Sequence, residues 1–370
     1  MNKSIYLDCK KLIKKFIDRA YWQSFNSGDI FYFVREGKPD SIFTFVENMA
    51  DGSFGGQLFS GAESFNYVHD ILTTNSNAVT IYDCNALIFS VKTKEEMTEF
   101  DKDYFKENKM RVMPENNFLA YRYFPGKMVR MANDLELKDL YDHLTYINSI
   151  VSNEFDRVIE AFANELCIYS IIDDEKYTYE MILRPLPYLE TKERNYKKND
   201  DFILEFKDKE FINSECYLFL SYAPLVIKEK GIRPLMVYFY YPKEHKHLFR
   251  YIMESFYHNK NMLYGILDEA FNEIGKPYKM YINNRLALAY LHKTLDALNI
   301  ENVFLREEKD TNDNIDLLMS SLYRPGEDEI IEEQDIISSL MEVITKTLNT
   351  LNEEDFIGQG EVEEKEELIS

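Results

Sequence analysis

The sequence predicts a mixed α/β fold, in which an α+β N-terminal domain is followed by an α/β C-terminal domain with a mixed sheet. A length of 370 residues suits two domains. Strand-like runs in the first part are followed by helical patterns, whereas strands and helices alternate in the last part. Hydrophobic residues make up 45% of the chain and aromatic residues 15%, which is enough to build two packed cores.

The N-terminal domain opens with a helix over Ile5–Trp22, where apolar residues recur every three or four positions. Thr93 and Asn133 each stand three positions before a glutamate, which is the signature of a capping box. The helices predicted there run to about Lys106 and Val151. The remaining predicted elements are a short helix at Ala62–Leu72 and strands at Asp29–Arg35, Ile42–Glu47, Gly55–Ser60, Ala78–Asp83, Ala86–Val91 and Asn117–Phe124.

The C-terminal domain is predicted as a layer of strands and helices. The aromatic runs Tyr217–Tyr222 and Tyr238–Tyr241 are interpreted as core strands or helix faces. Gly275 and Pro277 form a normal helix stop. The predicted elements are strands at Tyr177–Leu183, Arg233–Tyr241 and His247–Phe256, a helix at Asn261–Ile274, a strand at Tyr278–Asn283, a helix at Arg285–Leu298, a strand at Asn302–Arg306 and a helix at Asn312–Tyr323.

We place the domains at residues 1–155 and 156–326, with a polar loop near residues 184–201 inside the second. Residues 327–351 are predicted to form a C-terminal helix and residues 352–370 a disordered acidic tail. The net charge of the chain is −22. Residues 327–370 contain fifteen acidic residues and two lysines, so most of the negative charge is local and the remainder of the chain is only mildly acidic.

Composition favours a cytoplasmic protein. No apolar run reaches the roughly 18 residues that a membrane helix needs. Met1–Asp18 lacks the apolar core of a secretory signal. The cysteines lie far apart without a CxxC pair, which favours reduced, buried thiols over a disulfide framework or a zinc module. These are Cys9, Cys84, Cys167 and Cys216.

Several short motifs resemble those of uncharacterised bacterial proteins that join two domains of unknown function. The N-terminal ones are Gly28–Val34, Phe54-Gly55-Gly56, and Tyr123-Phe124-Pro125-Gly126 followed by Glu136; the C-terminal ones are Arg233-Pro234-Leu235 and Gly275-Lys276-Pro277 ahead of Tyr278–Asn283. The resemblance covers most of residues 20–325. It implies a bacterial cytosolic origin and a two-domain layout, and it supplies no catalytic residue.

The element order of the C-terminal domain also looks like a ribonuclease-H-like or integrase-core layer. Such nucleases need clustered carboxylates to hold two divalent metals. The strands Arg233–Tyr241 and Tyr278–Asn283 contain no acid, and Asn283 stands where one is expected. Asp268, Glu269 and Glu273 are predicted to be solvated on a helix. We therefore predict no catalytic residue, no metal site and no cofactor.

Two further motifs have simpler explanations than a ligand site. The glycine-rich run Asp51–Gly56 leads into a strand rather than a helix, which favours a turn or bulge over a phosphate loop. His245 and His247, with His258 further on, lack the acid or cysteine that would complete a metal set, which favours a solvated hairpin tip.

The strongest candidate for anion binding is the stretch Lys109–Arg130, which is basic in an otherwise acidic chain. Arg122, Lys127 and Arg130 stand close to Tyr121, Tyr123 and Phe124. Cations interleaved with aromatic rings can hold a single strand of nucleic acid. A half-buried strand with core aromatics and solvated cations would give the same pattern.

The sequence favours a non-catalytic interaction or regulatory protein whose partner is another protein. The first alternative is a metal-dependent nucleic-acid-processing enzyme of ribonuclease-H-like layout. The second is a mimic of nucleic acid that acts through its acidic tail.

Overall fold

The computed structural model describes residues 3–26, 28–48, 53–62, 64, 65, 67, 68, 84–176, 178–187, 196–223, 225–243, 246–252, 260–305 and 329–331. The chain divides into two compact units. The first consists of Met1–His69, Cys84–Pro125 and Val129–Lys192, and the second of Asp70–Asp83, Gly126–Met128 and Glu193–Ser370. Both units combine helices with strands, so the protein is mixed α/β.

The first unit is built on one sheet. Its α-helices are α1 (Lys3–Arg19), α2 (Glu99–Glu107) and α3 (Asp134–Ala163), with a 3₁₀ helix at Tyr21–Ser24. Its strands are β1 (Phe31–Arg35), β2 (Ser41–Asn48), β3 (Ser53–Ser60), β4 (Ala86–Lys92), β5 (Asn117–Tyr123), β6 (Arg130–Met131), β7 (Cys167–Asp173) and β8 (Thr178–Arg184). The strand order is β6-β5-β4-β3-β2-β1-β7-β8, and all neighbours are antiparallel except β1 and β7.

Helices α1 and α3 supply one apolar layer of this unit. Their buried residues join a cluster rich in phenylalanine that includes Phe31, Phe43 and Phe89 of the sheet. The Tyr6 hydroxyl donates to the Phe118 carbonyl over 2.7 Å, which fixes α1 to β5. A smaller cluster that includes Ile42 fills the opposite face of the sheet.

Helix α2 begins later than predicted. The capping box at Thr93 forms, since the Glu96 amide donates to the Thr93 hydroxyl over 3.4 Å and the Glu96 carboxylate accepts from the Thr93 amide over 2.6 Å. A second capping box at Thr98 and Asp101 follows at once, and the regular helix starts only there. The predicted capping box at Thr93 therefore forms, but it stabilises a single turn that precedes the helix.

The first unit extends beyond the predicted boundary at residue 155. Helix α3 does not end near Val151 but continues to Ala163 across a kink at Glu154. Strand β7, which was not predicted, then pairs in parallel with β1, and β8 pairs with β7. The first unit thus runs to Lys192, whereas the boundary predicted from the sequence is at residue 155.

The glycine pair Gly55-Gly56 lies inside β3 rather than in a turn. A Cβ atom on Gly56 would stand 2.6 Å from the rings of both Phe43 and Phe89. Gly56 therefore allows aromatic side chains of the neighbouring strands to pass over β3, and a Cβ atom on Gly55 would stand 2.6 Å from the Phe89 carbonyl oxygen.

The second unit contains a five-stranded mixed sheet and a two-stranded one. Its helices are α4 (Asp200–Phe206), α5 (Met262–Glu273) and α6 (Arg285–Ala297). Its strands are β9 (Glu215–Tyr222), β10 (Leu225–Ile227), β11 (Leu235–Tyr241), β12 (Lys246–Ile252), β13 (Lys279–Ile282), β14 (Glu301–Phe304) and β15 (Glu329–Ile331). Strand β10 pairs in parallel with β15. The larger sheet has the order β12-β11-β9-β13-β14.

The first and central strand of this larger sheet is β9. It runs antiparallel to β11 and parallel to β13, and β14 continues the parallel half. The sequence left Tyr217–Tyr222 open as a core strand or a helix face, and this run lies in β9. The buried run Cys216–Leu220 occupies the centre of the sheet.

Some predicted elements fall outside the described residues. These are the strand at Ala78–Asp83, most of the helix at Ala62–Leu72, the helix at Asn312–Tyr323, most of residues 327–351, the tail at residues 352–370, part of the polar loop at residues 184–201, and His245 and His258.

Candidate functional site

A cleft of about 250 Å³ lies between the sheet of the first unit and the start of α3. Leu58, Leu87 and Arg122 are adjacent across β3, β4 and β5, so their side chains share one face of the sheet. The cleft is lined by Leu58, Ser60, Leu87, Arg122, Leu135, Glu136 and Asp139.

The cleft has an apolar base and an apolar wall. Leu58 and Leu87 are buried at its base. Leu135, in the first turn of α3, is 82% exposed. Such an exposed side chain contributes little to the core of the free protein. Contact with a ligand would remove its apolar surface from water, which favours binding.

Capping of α3 sets the polar end of the cleft. The Asn133 side chain accepts from the amides of Leu135 and Glu136. In return, the Glu136 carboxylate accepts from the Asn133 amide over 2.8 Å. The capping box thereby holds the Glu136 carboxylate in one orientation.

Two arginines meet this carboxylate. Arg130 donates both Nη groups to Glu136, over 2.6 and 2.7 Å. The Nε atom of Arg122 lies 3.5 Å from Glu136 Oε1, while its Nη2 donates to Asn85 over 2.8 Å. Both guanidinium groups also lie over the Phe124 ring, at 4.1 Å for Arg122 and 5.5 Å for Arg130.

The pKa shifts agree with this pairing. Burial acts to raise the pKa of Glu136, but hydrogen bonds from Arg130 and from the Asn133 amide outweigh it and lower that pKa. Burial lowers the pKa of Arg122 from its ordinary value, which Glu136 opposes. The cluster of Arg122, Arg130 and Glu136 thus carries one net positive charge at neutral pH.

The three predicted binding residues are placed differently. Arg122 and Arg130 lie together around Glu136, and only Arg122 lines the cleft. Lys127 belongs to the second unit, where it forms a β-bridge with Ile232. Tyr121 is a core residue whose hydroxyl donates to Asp101 over 2.7 Å, so its ring does not offer a stacking surface.

A network of charges adjoins the cleft through Asp139. Arg35 is 4% exposed. Its guanidinium lies 3.2 Å from Asp139, 3.5 Å from Asp142 and 2.9 Å from Asp174. The Tyr146 hydroxyl adds a 3.0 Å hydrogen bond to Asp174. One buried cation therefore connects β1, α3 and the β7–β8 turn.

Ser41 and His143 form a buried pair beside this network. The Ser41 hydroxyl lies 2.7 Å from His143 Nε2, and His143 Nδ1 lies 2.8 Å from the Asp139 carbonyl. Burial lowers the pKa of His143, with the charge of Asp139 opposing the shift. The neutral ring therefore donates from Nδ1 to the carbonyl and accepts from Ser41. The two side chains are 1% and 2% exposed, so the pair joins β2 to α3 without a face open to a substrate.

Sequence reasoning did not find the Arg35 network or the Ser41–His143 pair. Their members stand more than 100 residues apart in the sequence. The one local signal was Arg35 itself, a charged residue at the end of the apolar run Phe31–Val34.

Burial also governs the state of the cysteines. All four cysteines are buried. Burial raises the pKa of Cys9 to about 12 and that of Cys167 to about 11, which disfavours the thiolate. In the part of the chain that the structure describes, no group of three or more His, Cys, Asp and Glu side chains could hold a metal ion.

Asn283 holds two strands of the second unit together. It is 3% exposed, and its amide group donates to the Leu220 carbonyl over 3.2 Å and accepts from the Leu220 amide over 2.8 Å. The side chain thus acts as an extra rung between β9 and the end of β13. This pair of hydrogen bonds needs both a donor and an acceptor, which explains why asparagine suits the position where a metal-binding acid was considered.

Comparison with known proteins identifies one family. A family described as a domain of unknown function (DUF7309) matches residues 8–166. The match covers less than half of the chain, and it begins in α1 and ends just before β7. No curated protein and no solved structure matches the chain. None of the helices in the described residues is long and apolar enough to cross a membrane.

The cleft and the Arg35 network both lie in the first unit, to which the family match is largely confined. Most of the second unit lies outside the matched residues.

Proposed function

We propose that the protein is a non-catalytic interaction protein that binds a short segment of another protein in the cleft of its first unit. The observation that carries this proposal is the lining of the cleft, in which the exposed Leu135 faces solvent beside buried Leu58 and Leu87, with Arg122 at one end. Exposed apolar surface beside a fixed polar group is typical of recognition sites.

The chemistry of the ligand follows from the lining. A volume of about 250 Å³ is below the roughly 300–1,000 Å³ of drug-sized ligand pockets. It suits one large apolar side chain. A carboxylate next to that side chain would meet Arg122, which lines the cleft and shares its partner Glu136 with Arg130, so that these three groups keep one net positive charge. Ser60 and Asp139, which also line the cleft, could form hydrogen bonds with the ligand, with the Asp139 carboxylate as an acceptor.

A binding role also fits the state of the buried polar groups. Arg35 is engaged by three aspartates, His143 by Ser41 and a backbone carbonyl, and Asn283 by Leu220. Groups that already have internal partners stabilise the fold and are not poised for proton transfer to a ligand.

N-acetyl-leucine is the smallest probe that carries both features, an apolar side chain and a carboxylate. In methyl-detected NMR, we expect its addition to shift the leucine methyl signals of Leu58, Leu87 and Leu135. Arg122→Ser should weaken this binding, because the carboxylate loses its cation. Arg157→Ser is the matched control, since Arg157 is exposed on α3 and its ion pair within the described residues is with Glu154.

Two outcomes would contradict the cleft as the site. One is a set of shifts that avoids all three leucines at saturation. The other is an equal loss of binding in Arg122→Ser and Arg157→Ser. N-acetyl-leucine amide serves as a second control, because without the carboxylate it should bind more weakly to the parent protein and equally to both variants.

The predicted set Arg122, Lys127 and Arg130 is tested separately with a single-stranded oligonucleotide. If these residues act together on a polyanion, the parent protein should bind with a steep dependence on salt, and changing all three to serine should abolish binding. An absence of binding by the parent protein at low salt would leave the peptide ligand as the only proposal for this region.

The second candidate is a nucleic-acid-processing enzyme, which is favoured by the strand order β12-β11-β9-β13-β14. Three antiparallel strands followed by two parallel ones are the layout expected of a ribonuclease-H-like layer. The test is incubation with Mg²⁺ or Mn²⁺ and labelled DNA and RNA. We expect no cleavage. Cleavage that disappears on Asp268→Asn or Glu273→Gln would promote this candidate over the first.

A further inference from the structure

Strand β8 forms one edge of the sheet in the first unit. It pairs with β7 along its whole length, and no strand in the described ranges pairs with its other side. It contains neither lysine nor proline, two residues that commonly protect such an edge. Pro185 follows directly after the strand.

The outer face next to this edge is partly apolar. Ile182 of β8 is 37% exposed, and Ile171 of the neighbouring strand is 42% exposed. Glu180 and Arg184 share this face with Ile182, because side chains two residues apart in a strand point to the same side.

We propose that a second copy of this chain pairs its β8 with this β8, antiparallel and centred on Ile182. A two-fold axis at Ile182 places Glu180 opposite Arg184 of the other copy, and Arg184 opposite its Glu180. On the inner face, it places Met181 opposite Leu183. The strand is therefore complementary to itself in this one register.

The charges in this register are available for such pairing. In the part of the chain that the structure describes, neither Glu180 nor Arg184 takes part in an ion pair. The Arg184 guanidinium stacks 3.4 Å above the Tyr169 ring, and its Nε atom has no hydrogen-bond partner. A glutamate on the adjacent strand of a second copy would supply a carboxylate beside a guanidinium that Tyr169 already holds in place.

The inner face supports the same occupant. Met181 and Leu183 are partly buried against the apolar cluster beneath the sheet. A second copy would bring the same two side chains alongside them and extend the apolar row across the two-fold axis. An unrelated peptide strand could satisfy the backbone of β8, but it would match this alternation of charge and apolar side chains only by chance.

Sedimentation velocity tests the proposal on the full chain over roughly 1–100 µM, the range in which modest interfaces dissociate. We expect the parent protein to dimerise with increasing concentration. Glu180→Arg places arginine opposite arginine, and Arg184→Glu places glutamate opposite glutamate. Each variant should dimerise roughly tenfold more weakly, because two symmetric cross-strand pairs become repulsive.

The double variant with both changes restores opposite charges in the same register, so its dimerisation should return toward that of the parent. Glu175→Arg is the matched control, since it makes the same change of charge at the exposed β7–β8 turn. Circular dichroism and thermal unfolding establish that each variant is folded before its dimerisation is compared.

Three results would overturn the proposal. A parent protein that stays monomeric throughout the concentration range has no such interface. A dimer that resists both single changes forms elsewhere on the molecule. Single variants that weaken the dimer without recovery in the double variant would exclude the register centred on Ile182.

Discussion

Arg35 is the residue that joins the most distant parts of the first unit. It is almost fully buried at the end of β1, while Asp139, Asp142 and Asp174 are partly exposed. Burial costs the guanidinium solvation, and the carboxylates offset that cost through short, charge-assisted contacts. The side chain can be accommodated there only when all three elements are in place.

Replacing Arg35 with alanine should lower the free energy of unfolding by about 3 kcal/mol, because the aspartates lose their shared cation and a buried ion pair is broken. Urea unfolding measures this as a shift of the midpoint at constant slope. Arg157→Ala should change the midpoint far less, since Arg157 forms an exposed pair with Glu154. Equal shifts in both variants would show that the Arg35 network adds nothing beyond a surface pair.

His143 should make the stability of the first unit depend on pH. Its folded pKa lies below the unfolded value of about 6.5. The contribution of His143 to the free energy of unfolding is therefore complete above pH 6.5 and is lost as the pH falls below that value. The pKa of Asp174 is also lowered: burial opposes the shift, and hydrogen bonding with Arg35 outweighs it. Protonation of Asp174 therefore causes a second loss of stability below about pH 4.

The pH profile of urea unfolding checks this assignment. His143→Gln should remove the loss of stability that begins near pH 6.5 and leave the loss that begins near pH 4. His292→Gln is the control, because His292 is half exposed and pairs with Asp296. If the stability loss that begins near pH 6.5 persists in His143→Gln and disappears in His292→Gln, then His292 causes it and the assignment to His143 is wrong.

At the scale of elements, the eight-stranded sheet depends on what crosses it. Strand β3 carries two glycines in its interior, where glycine normally weakens a strand. Gly56 makes room for Phe43 and Phe89, whose rings would otherwise collide with a Cβ atom, and Gly55 leaves room for the backbone carbonyl of Phe89. The glycine pair is thus a packing feature of the aromatic core.

Gly56→Ala should destabilise the protein by roughly 1–3 kcal/mol, because the new methyl group would force two buried rings to move. Thermal or urea unfolding measures the change. Gly28→Ala is the control, since no atom lies within 4 Å of the Cβ position there. If Gly56→Ala leaves the stability unchanged, the two rings can reorient freely and their packing does not require a glycine at this position.

At the scale of the whole molecule, β7 and β8 belong to the unit that precedes them in the sequence. The predicted boundary at residue 155 falls inside α3, one residue after its kink. Residues 184–201, predicted as a polar loop, span the point where the two units divide.

Limited proteolysis distinguishes the two boundaries. We expect the first cut after about Leu351, where charge is high and apolar periodicity ends, and the next within Arg184–Asp201. Mass spectrometry of the fragments measures their order. Early cuts near residue 155 would favour the boundary placed there from the sequence, and early cuts within Arg233–Arg306 would contradict the elements of the second unit.

The sequence by itself determined the local elements of this protein. Capping residues at Asn133 and apolar periodicity gave the start of α3, and helix stops at Gly275 and Pro277 gave the end of α5, because these signals act within a few residues. The same local information indicated a mixed α/β protein with alternating elements in its last part.

Only the tertiary structure decided which strands are neighbours and which polar residues meet. The parallel pairing of β1 with β7 joins segments more than 100 residues apart, and so do the contacts of Arg35 and His143. Of the predicted binding residues, Arg122 and Arg130 came together around Glu136, which the sequence had marked as a cap and as part of a motif but not as their partner. Such contacts depend on the burial of whole faces of helices and sheets, and no short stretch of sequence encodes them.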